Sequence, residues 1–240
     1  MIPSSWFRRL VLALFILEVA GALMWFATLL VPDSDKALAQ TIAGMIFLLG
    51  FYSCGPLSAR FLAPKAATDE AMQGRLARVI GRMPCAIPVF LYDFPEQNAV
   101  TVGLLPRYSR VYVTTGLMHL LSDEGLTGIC GHEEGHRSEL HVIVVLIFAC
   151  SYALIAYLTE DHNLFIFGFL AFMTLRRHLE YRADAAAATL VGKAAILTGL
   201  KELSTVYKAS HMSRWFVFIM AYPTLPMRIQ ALEIGRQQLF

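Results

Sequence analysis

The sequence predicts an α+β membrane protein that is mainly helical, with about four transmembrane helices and a small β-sheet. The first observation behind this prediction is composition: 57% of the 240 residues are hydrophobic and 16% are charged, against about 25% charged residues in an ordinary soluble domain. The second is a set of long apolar runs. The third is a polar middle segment in which helical and alternating patterns follow one another. Nucleic acid is excluded as a partner, because the sequence has no basic run with interleaved aromatic residues.

Four apolar runs are the candidate transmembrane helices: residues 10–31, 38–57, 142–158 and 164–175. A helix needs about 20 apolar residues to cross the hydrocarbon of a bilayer. The first run is longer than the apolar part of a signal peptide and has no cleavage site after it, so it is predicted to be a retained anchor. Its one acidic residue, Glu18, is expected to form a structural hydrogen bond. The fourth run is short: it either spans with local thinning of the bilayer or forms a partly inserted hairpin with the third.

The distribution of Lys and Arg next to the spans predicts the orientation. Most of them fall before the first run or after the second: Arg8, Arg9, Arg60, Lys65 and Arg75. The loop between these runs carries only Lys36, and residues 159–163 carry no Lys or Arg. Both termini and the polar middle are therefore predicted to be cytoplasmic. Residues 1–60 are expected to form an N-terminal hairpin in the membrane, and residues 61–240 one domain interrupted by a second membrane hairpin at about 142–175.

The polar middle predicts a helix over residues 69–83 and three short strands at 88–92, 99–102 and 110–115. Ser122 is the expected N-cap of a second helix, with acidic residues in its first turn. This helix is predicted to run through residues 132–136 and on into the third apolar run. Two further helices are expected at residues 180–190 and 194–207. Glycines at positions 125, 128 and 131 weaken the second helix and predict close packing against another helix.

The run His132-Glu133-Glu134-Gly135-His136 predicts a metal site. Histidines four residues apart project from one face of a helix, one turn apart, which is the spacing that lets two imidazoles bind a single zinc ion. Glu133 is placed to act as a general base on the attacking water without binding the metal, whereas Glu134 should point away. The other histidines, His141 among them, are expected to be interfacial or structural.

A hydrolytic zinc site needs a third protein ligand. A third histidine six residues after His136 is excluded, because that position is Val142. Glu180 on a separate helix is the predicted ligand, and Glu139 is the alternative. Asp184, one turn after Glu180, is expected to accept the free N–H of a ligand histidine and so fix its orientation.

These residues, taken with their surroundings, resemble the HtpX-like membrane metalloproteases, bacterial relatives of the CAAX prenyl proteases within the gluzincin group. Four segments carry the resemblance: residues 98–122, residues 131–136, Arg177 with Glu180, Tyr181, Ala183 and Asp184, and Tyr222-Pro223 with Arg228, Ile229 and Leu232. The resemblance implies a gluzincin-type zinc protease domain with one Zn²⁺ per chain and Glu180 as the third ligand. The sequence departs from the family's pattern at Tyr222, which replaces a histidine, and at Glu134, which replaces an apolar residue.

The resemblance implies a zinc endopeptidase that cuts membrane or misfolded proteins on the cytoplasmic side of the bacterial inner membrane. Tyr222 or Arg177 is the expected donor to the oxyanion. The substrate is expected to lie extended along the strand that contains Asn98, Ala99, Val100 and Thr101. Three alternatives stay open: a processing protease with one membrane partner, a zinc-containing scaffold or chaperone, and, with less support, a transporter. The lipid bilayer is the other expected partner, and the sequence does not indicate an oligomeric state.

Overall fold

The N-terminal part of the chain is a helical hairpin. The structure is a computed structural model that describes residues 5–55, 57, 67–160, 164–207 and 222–235. Helix α1 covers Ser5–Leu29, a 3-10 turn covers Asp33–Asp35, and α2 covers Lys36–Ser53 and packs against α1. Glu18 lies exposed on α1, and no hydrogen bond joins it to any residue described here. The predicted structural bond of Glu18 is therefore not found in this part of the chain.

The sheet and the helix before it form the first part of the polar domain. Helix α3 covers Glu70–Gly81, with Asp69 as its N-cap. Strands β1 (Val89–Tyr92), β2 (Ala99–Val102) and β3 (Arg110–Thr114) follow. The order across the sheet is β1-β3-β2, with β1 parallel and β2 antiparallel to β3. Alternation places Val111 and Val113 in the core beneath the sheet, and β2 forms one edge.

Two helices lead from the sheet to the centre of the domain. Helix α4 covers Thr115–Leu120, and α5 covers Asp123–Ser138. The hydroxyl of Ser122 accepts a hydrogen bond from the amide of Gly125, as the cap prediction requires. Arg75 of α3 holds the start of α5, since its Nε donates to Asp123 at 2.6 Å and its Nη2 to the carbonyl of Leu121 at 2.6 Å.

Helix α5 does not continue into the third apolar run, which corrects the prediction of one long helix. It ends at Ser138, and Leu140 adopts a left-handed conformation with φ of 59°. Helix α6 then follows and covers His141–Thr159. A non-glycine residue in this conformation breaks the helical hydrogen-bond pattern at a defined point.

Three of the described helices are long and apolar enough to cross a membrane: α1, α2 (with the preceding turn) and α6. The fourth apolar run is not a separate helix. It forms the first part of α7, Leu164–Val191, which continues through Glu180 to the end of the predicted third polar helix. Three of the predicted spans are thus found as candidate spanning helices among the residues described, while residues 164–175 pack against α6 at the start of α7 and their crossing of the bilayer stays a prediction.

The domain is completed by α8 (Lys193–Val206) and α9 (Leu225–Ile234). Helix α5 lies at the centre, packed against α7 and α8. Its glycines make this contact possible: a Cβ at Gly128 would overlap the backbone of Ala195 in α8, and one at Gly135 would approach Ala183 in α7. The predicted close packing of α5 therefore involves two helices, α7 and α8.

Candidate metal centre

The side chains of His132, His136 and Glu180 converge on one point between α5 and α7. The two Nε2 atoms are 3.1 Å apart, and each lies 3.5 Å from a carboxylate oxygen of Glu180. Their potential ligand atoms all lie within 4.8 Å of one another. Tetrahedral zinc with bonds of 2.0–2.1 Å would separate two ligand nitrogens by about 3.3 Å. The spacing of the two imidazoles therefore fits a bound zinc ion.

Asp184 and Arg228 support His132 from behind. The Nδ1 atom of His132 lies 2.8 Å from Oδ1 of Asp184, which is 1% exposed. Arg228 of α9 donates to the same carboxylate through Nε at 2.8 Å and Nη2 at 2.6 Å. With Nδ1–H of His132 donating to Asp184, the Nε2 lone pair is directed toward Glu180 and His136. Asp184 thus has the contact that was predicted for it.

The chemistry of the converging atoms also fits a cation. His136 has its Nδ1 atom 2.8 Å from Nδ1 of His141, so its second ring nitrogen is engaged elsewhere. Two imidazole Nε2 atoms and a carboxylate face one another at hydrogen-bond distance or slightly beyond. Three acceptors so close together repel unless a proton or a metal ion lies between them.

Buried charges set the protonation of this group. Burial and the charge of Arg228 lower the pKa of His132, but the carboxylates of Asp184 and Glu180 outweigh them and raise it. Burial and the neighbouring charge on His132 lower the pKa of His136. Burial raises the pKa of Glu180, but His132 and Arg228 outweigh burial and lower it. A metal requires neutral imidazoles, so a metal ion bound here would displace any proton held by His132.

Glu133 lies next to the ligand histidines and is buried, with 6% of its surface exposed. The hydroxyl of Thr101 in β2 is 2.8 Å from its Oε2 and 2.8 Å from its main-chain oxygen. Burial raises the pKa of Glu133, and the charge of His132 and the hydrogen bond from Thr101 only partly oppose this rise. A carboxylate with a raised pKa holds a proton more readily than an ordinary glutamate, which suits it to take up a proton and pass it on.

The two other glutamates of this region form ion pairs away from the centre. Both carboxylate oxygens of Glu134 accept from Arg137, at 2.6 and 2.7 Å. Glu139, the alternative ligand, binds Arg182 through both oxygens at 3.0 Å and lies 3.2 Å from Nε2 of His141. Glu139 is absent from the group of converging ligand atoms in the described structure, so its prediction as the third ligand is not supported.

Tyr222 contacts Arg176 of α7, one turn before Glu180, and its role as an oxyanion donor stays a prediction. Its side chain is half exposed, its hydroxyl accepts from Arg176, and the guanidinium of Arg176 lies 4.6 Å from its ring centre. Arg177 is fully buried on α7, with Nη2 3.2 Å from the hydroxyl of Thr174. Its role as an oxyanion donor stays a prediction.

The strand predicted to bind substrate lies beside α5. Thr114 donates its amide to the carbonyl of Asn98 at 3.1 Å, and β2 pairs with β3 from Ala99 to Val102. In an antiparallel ladder the paired residues alternate, so the amides and carbonyls of Ala99 and Thr101 point to the open edge while those of Val100 point to β3. The open edge therefore runs past Glu133.

The sequence alone did not predict that two residues, Arg228 and His141, lie at the metal centre. Arg228 was identified only as part of the closing segment, although an arginine five residues after Pro223 was a visible signal. His141 was expected to be structural, and the left-handed turn at Leu140 that aims it at His136 leaves no mark in the sequence pattern.

The chain combines candidate membrane spans with a possible metal-binding group between α5 and α7. The model of peptidase family M48 matches residues 70–234. The chain belongs to this family, and its HtpX-like character is confirmed by the relatives that follow.

Three relatives illustrate the similarity. A protease HtpX homolog of Thermodesulfovibrio yellowstonii is 31% identical over 120 residues, which are 49% of this chain and 43% of the relative. One of Campylobacter hominis is 29% identical over 197 residues, covering 70% of this chain and 69% of the relative. Protease HtpX of Yersinia pestis is 23% identical over an alignment of 289 residues, covering 94% and 98%.

The fold is similar to that in the crystal structure of S. mikatae Ste24p, with a TM-score of 0.67 and 17% sequence identity. The match covers 94% of this chain and 64% of Ste24p. The match thus covers just under two thirds of the length of Ste24p. The match to the Thermodesulfovibrio relative covers less than half of that protein's length. At this level of identity the likeness to Ste24p shows the fold alone.

Proposed function

We propose that this chain is a zinc endopeptidase that hydrolyses membrane or misfolded proteins on the cytoplasmic side of the inner membrane. The observation that carries the proposal is the convergence of His132, His136 and Glu180 directly beside the buried carboxylate of Glu133. A structural zinc site has four protein ligands and needs no general base. The group described here supplies three ligands and a base.

His132, His136 and Glu180 would hold one zinc ion. When bound, zinc lowers the pKa of water and polarises the scissile carbonyl. Glu133 takes the proton of the attacking water and then delivers it to the leaving amine. Thr101 holds the Glu133 carboxylate from the strand side, while Asp184 and Arg228 hold the ring of His132 in the tautomer that a ligand needs.

The open edge of β2 would align the substrate. An extended peptide that pairs with the outward amides and carbonyls of Ala99 and Thr101 adds a strand to the sheet. Main-chain pairing selects for extended, unfolded segments rather than for one sequence, which favours a broad range of substrates. A processing protease for one membrane partner would need side-chain pockets in addition.

The proposed orientation rests on the bias of Lys and Arg toward one side of the spans. It predicts that the loop around Asp33 is outside the cytoplasm and that the metal centre is inside. Labelling of single cysteines in intact cells, one at residue 34 and one at residue 124, tests it: only residue 34 should react with a membrane-impermeant reagent. The opposite labelling pattern would reverse the orientation.

The experiment that tests the activity is casein cleavage by the full chain purified in detergent. Glu133→Gln should reduce cleavage about 100- to 10,000-fold, in line with loss of general-base catalysis in an otherwise intact site, and should leave one zinc bound per chain. Glu124→Gln, on the exposed surface of the same helix, is the matched control and should cleave normally. A chelator should abolish cleavage by the unmodified chain.

The outcome also separates the alternatives. Cleavage of casein contradicts a protease restricted to one partner. Zinc bound without any cleavage of casein or membrane proteins would favour the scaffold or chaperone. Undiminished activity in the Glu133→Gln chain would overturn the assignment of the base.

A further inference from the structure

His141 lies against the metal centre at the start of the third candidate span. It is the first residue of α6 and is 4% exposed. Its Nδ1 atom is 2.8 Å from Nδ1 of His136, and the two rings meet edge to face with centres 4.9 Å apart. Leu140, in a left-handed conformation, separates the two helices that carry these rings, which lie only five positions apart in sequence.

The other side of the His141 ring is fixed by a charged pair. Its Nε2 atom is 3.2 Å from a carboxylate oxygen of Glu139. The same carboxylate binds Arg182 of α7 through both oxygens, at 3.0 and 3.0 Å. The guanidinium keeps Glu139 ionised and therefore an acceptor only: burial raises the pKa of Glu139, but Arg182 and His141 outweigh burial and lower it.

The placement of protons follows from these contacts. Glu139 can only accept, so Nε2 of a neutral His141 carries the proton and its Nδ1 is the acceptor. The partner of that acceptor, Nδ1 of His136, must then carry the proton of its own ring. The remaining nitrogen of His136, Nε2, is left with its lone pair directed at His132 and Glu180.

We propose that His141 is a positioning residue, which accepts the Nδ1–H of His136 and so fixes the tautomer and ring orientation in which His136 binds the metal. Glu139 and Arg182 complete the chain of contacts behind it. His132 is supported in an equivalent way by Asp184 and Arg228. Each ligand histidine thus has its own carboxylate and guanidinium, but for His136 the support passes through a second imidazole. The inference rests on the proposed metal site and adds the element that orders its second ligand.

Two substitutions at position 141 separate this role from packing. Asn places its amide oxygen close to the position of the imidazole Nδ1 and can still accept a hydrogen bond from His136. Leu is similar in size to Asn but has no acceptor. We expect His141→Leu to weaken zinc binding about 10- to 100-fold, the usual effect of losing such a partner. His141→Asn should stay within a few fold of the parent chain.

Zinc affinity is measured by chelator competition on the full chain in detergent, in a Glu133→Gln background that prevents self-cleavage. The absorption spectrum of the cobalt-substituted protein is the second readout. It should change in His141→Leu and remain parent-like in His141→Asn, because it reports the ligand geometry rather than overall stability. Equal affinity and an unchanged spectrum in His141→Leu would overturn the proposal.

A second pair keeps the test decisive if His141→Leu does not fold. Glu139→Gln retains an acceptor for Nε2–H of His141, and Glu139→Leu removes it. Only Glu139→Leu should lower zinc affinity, by a few fold. Equal affinity in both would overturn the proposal. A parent chain that binds no zinc would instead refute the metal site itself, so the two failures are distinguishable.

Discussion

The hydroxyl of Thr101 lies 2.8 Å from the carboxylate of Glu133, joining the edge of the sheet to the helix that carries the metal-binding histidines. The same hydroxyl also approaches the main-chain oxygen of Glu133 at 2.8 Å. One short contact therefore sets the distance between the strand that would bind substrate and the residue that would act as base.

The first prediction concerns this hydrogen bond. It lowers the pKa of Glu133 and partly offsets the rise caused by burial. Thr101→Val keeps the shape but removes the donor, so the pKa of Glu133 should rise. Because the base must be ionised to accept a proton, activity is lost as pH falls through that pKa. The acid limb of the pH profile of kcat/KM should therefore move to higher pH.

Thr101→Ser is the matched control for the pH profile. It retains the hydroxyl and should keep the acid limb where it is in the parent chain. A Thr101→Val profile that coincides with that of the parent would show that the hydroxyl does not act on Glu133.

The second prediction concerns the support of His132. Asp184→Ala removes the acceptor of Nδ1–H and leaves the buried guanidinium of Arg228 without its bidentate partner. Zinc affinity should fall about 10- to 100-fold. Asp184→Asn retains an oxygen that can accept a hydrogen bond from His132, so its zinc affinity should fall by less. Chelator competition measures both, and a larger loss in Asp184→Asn than in Asp184→Ala would contradict this account.

The third prediction concerns the packing of α5 on α8. Gly128→Ala places a methyl group on the backbone of Ala195, and a backbone cannot move aside as a side chain can. Forcing extra atoms into a tight contact costs about 1–3 kcal/mol. The apparent melting temperature of the detergent-purified chain should therefore fall.

Gly74→Ala is the control for this packing effect. Gly74 is exposed in α3 with nothing within 4 Å of an added Cβ, so alanine should stabilise that helix by up to about 1 kcal/mol. A fall in melting temperature of the same size for both variants would indicate a general sensitivity of the chain rather than contact between α5 and α8.

The fourth prediction concerns the ion pair between Glu134 and Arg137. Glu134 is 5% exposed and accepts hydrogen bonds from Nε and Nη2 of Arg137. Glu134→Leu leaves that charge unpaired in a largely buried position and should destabilise the chain by about 3 kcal/mol. The double variant Glu134→Leu with Arg137→Met should recover much of the loss, because it removes both charges. Thermal melting of the three chains checks this, and a double variant no more stable than Glu134→Leu alone would argue against the pair.

Short-range patterns in the sequence predicted most of the elements. The cap at Ser122, the strands of the sheet and the four-residue spacing of His132 and His136 depend on neighbours along the chain, and the structure has each of them as expected. The place of Asp184 behind His132 also follows from its position one turn after Glu180.

The positions at which helices end, and contacts between residues distant in sequence, were not predictable from local patterns. No pattern marks Leu140 as left-handed, so α5 and α6 were predicted as one helix. The apolar run at 164–175 and the helix at 180–190 were predicted as separate elements, but the backbone continues between them as α7, in which Arg177 and Glu180 are buried. Tyr222 was assigned by resemblance, and its contact with Arg176 depends on packing that the local sequence does not encode.

The contact between His141 and His136 brings the metal centre close to the end of a candidate span. His141 is both a neighbour of a predicted zinc ligand and the first residue of a candidate span. An extended chain advances about 3.3 Å per residue. A substrate emerging from the bilayer beside α6 would therefore need only a few extended residues before a peptide bond arrives at the base. Cleavage should fall in a narrow zone just beyond the end of a substrate's transmembrane segment.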